Sequence, residues 1–270
     1  MSPRAMSTTR ILALFERYVL LHRRSLIRMF DIAFWPVMDL LIWGFMTRYL
    51  QQVAAGPMAQ VIVFLIGAII AWDIHYRGQQ AVTISLMEEI WTRNIVNLLV
   101  APVRLWEWVT ASFLYAALKV ALVTALLVGV AKGLYAFDLT RIGWAFLPLA
   151  GSLLMFGWAI GLATAGLLLR YGYAAEALIW GIPFLLQPFS CVFYPLASLP
   201  HWAQCVAKLL PSTYAFEGLR PALQAGTVPP AIWLGVVGLN VLYLALGAAF
   251  FAWMFRRARA DGRLGHLGQD

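Results

Sequence analysis

Charge and cysteine are what this sequence has least of. Only 12% of its 270 residues are Asp, Glu, Lys or Arg, where a soluble domain carries about a quarter. With 62% hydrophobic residues and a mean hydropathy of +0.78, the chain falls outside the water-soluble globular class. Two cysteines, Cys191 and Cys205, exclude a disulfide scaffold and a cysteine metal centre. They can pair if both lie on the outer face, and two unrelated buried thiols is the favoured reading. HExxH, CxxC and GxSxG are absent, and His22, His75, His201 and His266 stand on separate segments. No metal site and no catalytic constellation is therefore expected. The dipeptide Gly-Lys does not occur, so there is no P-loop through which the chain could hydrolyse ATP. The short alternating segments of a β-barrel are missing too.

What is there is long apolar runs. A hydrocarbon core of about 30 Å takes roughly 20 helical residues, and six stretches suffice: 32–50, 59–79, 105–130, 143–169, 174–194 and 231–255. The fold class expected is an all-α polytopic membrane protein forming one transmembrane domain over 1–270. The net charge of +8 does not indicate nucleic acid, because the basic residues flank the apolar runs instead of forming a binding face. The start is polar and basic and lacks a cleavage pattern, so the first span is expected to act as its own insertion signal. Lys and Arg concentrate on the side of the N-terminus, which places both termini, segment 84–102 and the tail 256–270 in the cytoplasm.

Three segments are not spans. In 7–30, Arg10, Arg17, Arg24 and Arg28 share one stripe at 100° per residue, opposite Ile11, Phe15, Tyr18, Val19, Leu26 and Phe30. That pattern predicts a basic amphipathic helix lying in the headgroup layer. In 84–102, Glu89, Arg93 and Asn97 recur every fourth residue, with Glu89 placed to pair with Arg93. A short helix over 86–98 is predicted, stopped by Pro102 with Ala101 extended before it. In 194–223, Pro200 opens and Pro211 closes a helix too short to span, and 195–211 reads as extracytoplasmic re-entrant structure.

Ionisable residues in spans are costly and therefore functional suspects. Asp39 and Lys119 are the deepest, with an interhelical pair between them one reading. Asp73, His75 and Glu176 are read as locally satisfied. The aromatic residues Trp35, Trp43, Phe184 and Phe189 join Asp39 and Lys119 as candidates for a translocation path or for span packing. The motif GWAIG at 157–161 predicts close approach of another helix.

The basic helix leading into WPVMDLLIWGFM, the cytoplasmic EEIWTRNIVNLLVAPV and the late YPLASLPHWAQCVAKLLPSTYAFEGLR resemble the permease subunit of type-2 ABC exporters, over about residues 10–258. The nodulation-factor and drug branch is the most similar, beside those that export polysaccharide chains. The resemblance implies a multi-pass permease of the bacterial inner membrane that moves an amphipathic lipid, glycolipid, polysaccharide or drug outward. It implies no cofactor in this chain, with ATP and Mg on a separate cytoplasmic ABC ATPase present in two copies. It also implies a second permease, a homodimer, in contact with membrane lipids. By the same resemblance 7–30 is the elbow helix, and Glu88, Glu89, Trp91, Arg93, Asn94 and Asn97 belong to the coupling helix that meets the ATPase. Tyr194, Pro195, Pro200, Trp202 and Pro211 mark the re-entrant segment. The alternative is an ATP-independent secondary transporter or channel, which would want matched unwound spans in two repeats; no such repeat is visible. An intramembrane enzyme would need an acid/base pair at one depth, which Asp39 and His75 do not supply.

Overall fold

The computed structural model describes residues 3–53 and 58–262, and among these it is all helical and without strands. The helices are α1 Pro3–Arg23, α2 Leu26–Val53, α3 Met58–Trp91, α4 Ile95–Val100, α5 Leu105–Tyr135, α6 Phe146–Tyr171, α7 Ala177–Leu186, α8 His201–Ala207, α9 Pro211–Ala225 and α10 Pro230–Ala260. Short 3-10 turns link α5 to α6, α6 to α7 and α7 to α8. The last residues of the predicted tail, 263–270, lie outside the described part.

Helices α3 and α6 form the centre. On one side α3 meets α2 and α5, and on the other α6 meets α10, with α9 closing the far end of the α6–α10 pair. The GWAIG motif explains the central contact. A Cβ on Gly157 would stand 2.5 Å from the His75 carbonyl oxygen, and one on Gly161 would stand 2.9 Å from that of Gln79. Only hydrogen at both positions lets α6 lie backbone to backbone on α3, the close approach that small-xxx-small spacing permits.

Among the described residues, four segments are long and apolar enough to cross a membrane: Leu26–Val53, Leu105–Tyr135, Ile142–Ala175 and Pro230–Ala260. They contain the predicted spans 32–50, 105–130, 143–169 and 231–255. The predicted fifth span is not one continuous helix. Within 174–194 the helix is the ten residues Ala177–Leu186, followed by a 3-10 turn at Gln187–Phe189. Pro183 and Pro188 remove amide donors there, so this segment is too short to cross as a single α-helix.

The predicted helix 7–30 is also corrected. It is two helices, broken at Arg24 and Ser25, where the Ser25 amide donates to the His22 carbonyl at 3.1 Å. Arg28 therefore belongs to α2. Late in the chain, Pro200 caps α8 as expected, but Pro211 opens α9 at its first turn instead of closing α8. Cys191 and Cys205 are both free, and Cys205 is exposed where two buried thiols were expected.

Candidate functional site

The first candidate begins with the length of α3. Its 34 residues make a rod of about 50 Å, far longer than a hydrocarbon core, and two of its acids, Glu88 and Glu89, stand in the last turn. The rod does not continue to residue 98, which corrects the single helix expected over 86–98. The Asn94 amide donates to the Glu89 carbonyl at 2.8 Å and the Arg93 amide to that of Ile90 at 3.0 Å. These two bonds make a Schellman stop, with Arg93 at φ 53° in the left-handed position where glycine is usual. The six-residue α4 follows, and Ala101 is extended before Pro102 as predicted (φ −62°, ψ 147°).

This stop changes the roles of the charged residues. The expected Glu89–Arg93 pair does not form, because the turn carries Arg93 away from the α3 face. Glu89 is 1% exposed and is held by Arg17 of α1, whose Nη1 and Nη2 lie 2.8 and 2.9 Å from its two oxygens. The Asn94 side chain donates to the same carboxylate at 2.6 Å, and the Asn97 amide donates to Asn94 Oδ1 at 3.0 Å. A continuous polar chain thus runs from exposed Asn97 through Asn94 and Glu89 to α1. Next to it, Arg28 reaches Glu88 at 3.0 Å.

A third acid, Glu107 in the first turn of α5, receives the Ser7 hydroxyl at 2.7 Å and approaches Arg10 at 3.6 Å. It also accepts the Arg104 amide at 2.8 Å, which satisfies the backbone donor at the N-cap of α5. Much of the arginine stripe predicted to face headgroups therefore faces protein: Arg10, Arg17 and Arg28 each meet one carboxylate, and Arg24 is exposed. Sequence reasoning did not single out Glu107. The signal was available, since it is an acid opening an apolar run across from a basic stripe.

With both acids engaged, the outward surface at the tip of α3 consists of Trp91, Thr92, Arg93, Asn97 and Val100, with Trp91 44% and Val100 81% exposed. An aromatic ring and an arginine that has no ion pair among the described residues, both on a fixed turn, are the composition enriched at protein interfaces.

His22 sits behind this cluster. Its Nδ1 donates to the Tyr18 carbonyl at 3.1 Å. Burial, with Lys119 and Arg28 beside it, pushes its pKa down to about 4. It is neutral at pH 7, so its 3.8 Å approach to Glu88 is not an ion pair. The ordinary histidine value is about 6.5; between the two values the unfolded chain takes a proton that the folded one refuses. The stabilisation is complete above the ordinary value and is lost as pH falls towards 4. Lowering the pH from 7 to 5 is expected to cost about 1–2 kcal/mol, read as a falling melting temperature. His22→Gln should flatten that dependence.

The second candidate is a cavity of about 500 Å³ that α2, α3, α5 and α7 line. Trp35, Asp39, Lys119 and Phe184 all face it. Trp43 and Phe189 do not: Trp43 stacks on Phe193 at 4.5 Å, and Phe189 meets the edge of Trp202 at 6.0 Å. No ion pair joins Asp39 to Lys119 among the described residues. Asp73 is satisfied locally, as expected, with Arg77 Nε 2.9 Å from both of its oxygens, but the pair also lines the cavity. His75 is packing: it is fully buried between Trp72 and Phe156 and donates to the Leu153 carbonyl at 3.3 Å. Glu176, at the start of α7, is half-buried.

In the segment 194–211, Tyr194 bonds the Pro188 carbonyl and Pro195 precedes a 3-10 turn whose Leu196 amide donates to Glu217 at 3.0 Å. Trp202, Val206 and Leu209 form an exposed apolar face on and just after α8.

Among individually curated proteins none matches the chain. A model of the ABC-2 type transporter family matches residues 11–223, a stretch that runs from α1 into α9 and includes most of the α1–α3 clasp, the turn at Arg93 and the cavity. Because the match covers well over half of the chain, this protein belongs to the ABC-2 type transporter family, as a multi-pass membrane permease component of an ABC transporter and not its catalytic subunit.

Proposed function

We propose that this permease is driven by ATP hydrolysis on a separate ABC ATPase and exports an amphipathic substrate from the cytoplasm or inner leaflet, most similarly to the nodulation-factor and drug branch. ABC-2 permeases generally partner with such an ATPase. The observation that carries the reading is the tip of α3. A rod of about 50 Å ends in an exposed Trp91–Arg93 turn, and that turn is tied through Asn97, Asn94 and Glu89 to Arg17 of α1. A push on the turn is therefore shared by α3 and α1, and α1 also grips α5 through Ser7 and Glu107. Trp91, Arg93 and Asn97 touch the ATPase, while Glu88, Glu89 and Asn94 brace the joint.

The working unit is two copies of this permease and two ATPases, with ATP and Mg held by the latter, in the bacterial inner membrane with both termini cytoplasmic. Helices α3 and α7 complete six passages, the fifth as a broken one, and the exposed apolar face around α8 dips into the outer leaflet. The test is the combined substitution Trp91→Ala and Arg93→Glu. Truncating an interface anchor costs about 2 kcal/mol or more, so retention of the ATPase during purification should fall about thirtyfold or more, with membrane insertion unchanged. Full retention and undiminished transport would overturn the proposal.

A further inference from the structure

Asp39 stands at the midpoint of α2, a helix long and apolar enough to span. It is exposed within the chain, and among the described residues no cationic side chain pairs with it. An ionised carboxylate at that depth is too costly to face lipid, and Asp39 lines the cavity between α2, α3, α5 and α7. The charges that line the cavity are Asp31, Asp39 and Asp73 against Arg77 and Lys119, three acids to two bases. Arg77 is committed to Asp73 by the double 2.9 Å contact, and Lys119 is nine-tenths buried in the wall. What the cavity offers a ligand is therefore an unpaired carboxylate. Beside it lie aromatic faces, with Trp180 44% and Phe184 61% exposed on α7.

We infer that this cavity binds amphipathic cations, with the positive centre at Asp39 and the apolar body against Trp180 and Phe184. A carboxylate supplies the counter-charge, and aromatic faces attract a desolvated cation through their quadrupole. An anionic amphiphile meets instead a net excess of one acid, with Lys119 the single base that has no ion pair among the described residues. The inference rests on the permease reading for its place in transport, but it needs no ATPase for its test.

The probe is a matched pair of ions, tetraphenylphosphonium and tetraphenylborate, which share shape and size and differ in sign. Each is titrated into the full chain in phosphatidylcholine nanodiscs, with binding to empty nanodiscs subtracted. Saturable binding is expected for the cation only. Asp39→Asn should weaken it about tenfold or more, as loss of one close charge pair requires, while Asp39→Glu retains most of it and Trp180→Ala weakens it severalfold. Absence of cation binding by the unaltered chain, equal binding of the borate, or an unchanged Asp39→Asn affinity would each overturn the inference. If Asp39→Asn does not fold, the sign preference and the Trp180→Ala response decide. Cation binding lost while the Trp91/Arg93 variant still sheds its ATPase would leave the permease proposal standing.

Discussion

Gly157→Ala is expected to destabilise the protein by about 2 kcal/mol, and Gly157→Leu to prevent a monodisperse folded product. The first added carbon already lies 2.5 Å from the His75 carbonyl oxygen and 3.0 Å from the Gln79 amide nitrogen. Both are backbone atoms, so no side chain can rotate away; the helices must separate, and overpacking of this kind costs about 1–3 kcal/mol. Separation would propagate, because the opposite face of α6 is equally tight: a Cβ on Gly247 of α10 would stand 2.5 Å from the Ala159 carbonyl oxygen. The control lies on the same helix. Gly151 has nothing within 4 Å of its would-be Cβ, so Gly151→Ala should be neutral or slightly stabilising through helix propensity. Thermal melting followed by size-exclusion chromatography reads all three. Equal melting temperatures for Gly157→Ala and Gly151→Ala would contradict the packing account.

Arg17→Met should cost about 3 kcal/mol. Removing one partner of a buried ion pair leaves the other charge uncompensated, at about 3–5 kcal/mol. The lower end applies because Arg17 is itself 36% exposed while Glu89 is 1% exposed. Asn94 remains as a donor to the stranded carboxylate but carries no charge. The double variant Arg17→Met with Glu89→Gln should recover most of the loss, since a neutral amide needs no counter-ion. A double-mutant cycle then isolates the pair. Single losses that simply add would mean that Arg17 and Glu89 act separately, and the bracing role would fall.

The spans containing strong apolar runs were legible because length and hydropathy are local properties of the sequence: 231–255 sits inside α10, and 143–169 starts three residues before α6, in the 3-10 turn that leads into it. GWAIG was legible for a similar reason, because its spacing defines one helix face. The charged segments were harder. The 3.6-residue stripe of Glu89, Arg93 and Asn97 is real in the sequence, but the chain leaves the helix after Trp91 through a left-handed Arg93. No glycine or proline marks that turn; it is held by backbone bonds to Glu89 and Ile90. Likewise, the arginine stripe of 7–30 is a pattern of the sequence, and periodicity does not say whether a charged face meets headgroups or acids. Glu88, Glu89 and Glu107 decide that here, from residues about 60 to 100 positions away. Asp73 and Arg77 show the converse. Asp73 reads as locally satisfied, and Arg77 four residues on supplies the partner; their place in the cavity wall came only from the packing of α2, α5 and α7 around α3.

The central claim is that the exposed turn at the tip of α3, and not the acids behind it, receives the stroke of the ATPase. Photo-crosslinking tests it directly, with benzoylphenylalanine placed singly at Trp91, Arg93, Asn97, Glu88 or Glu89 in the assembled transporter. The account predicts crosslinks to the ATPase from Trp91, Arg93 and Asn97, and from Glu88 or Glu89 either none or crosslinks within the permease to α1. An ATPase crosslink as strong from Glu89 as from Trp91, or none from any of the five, would contradict it.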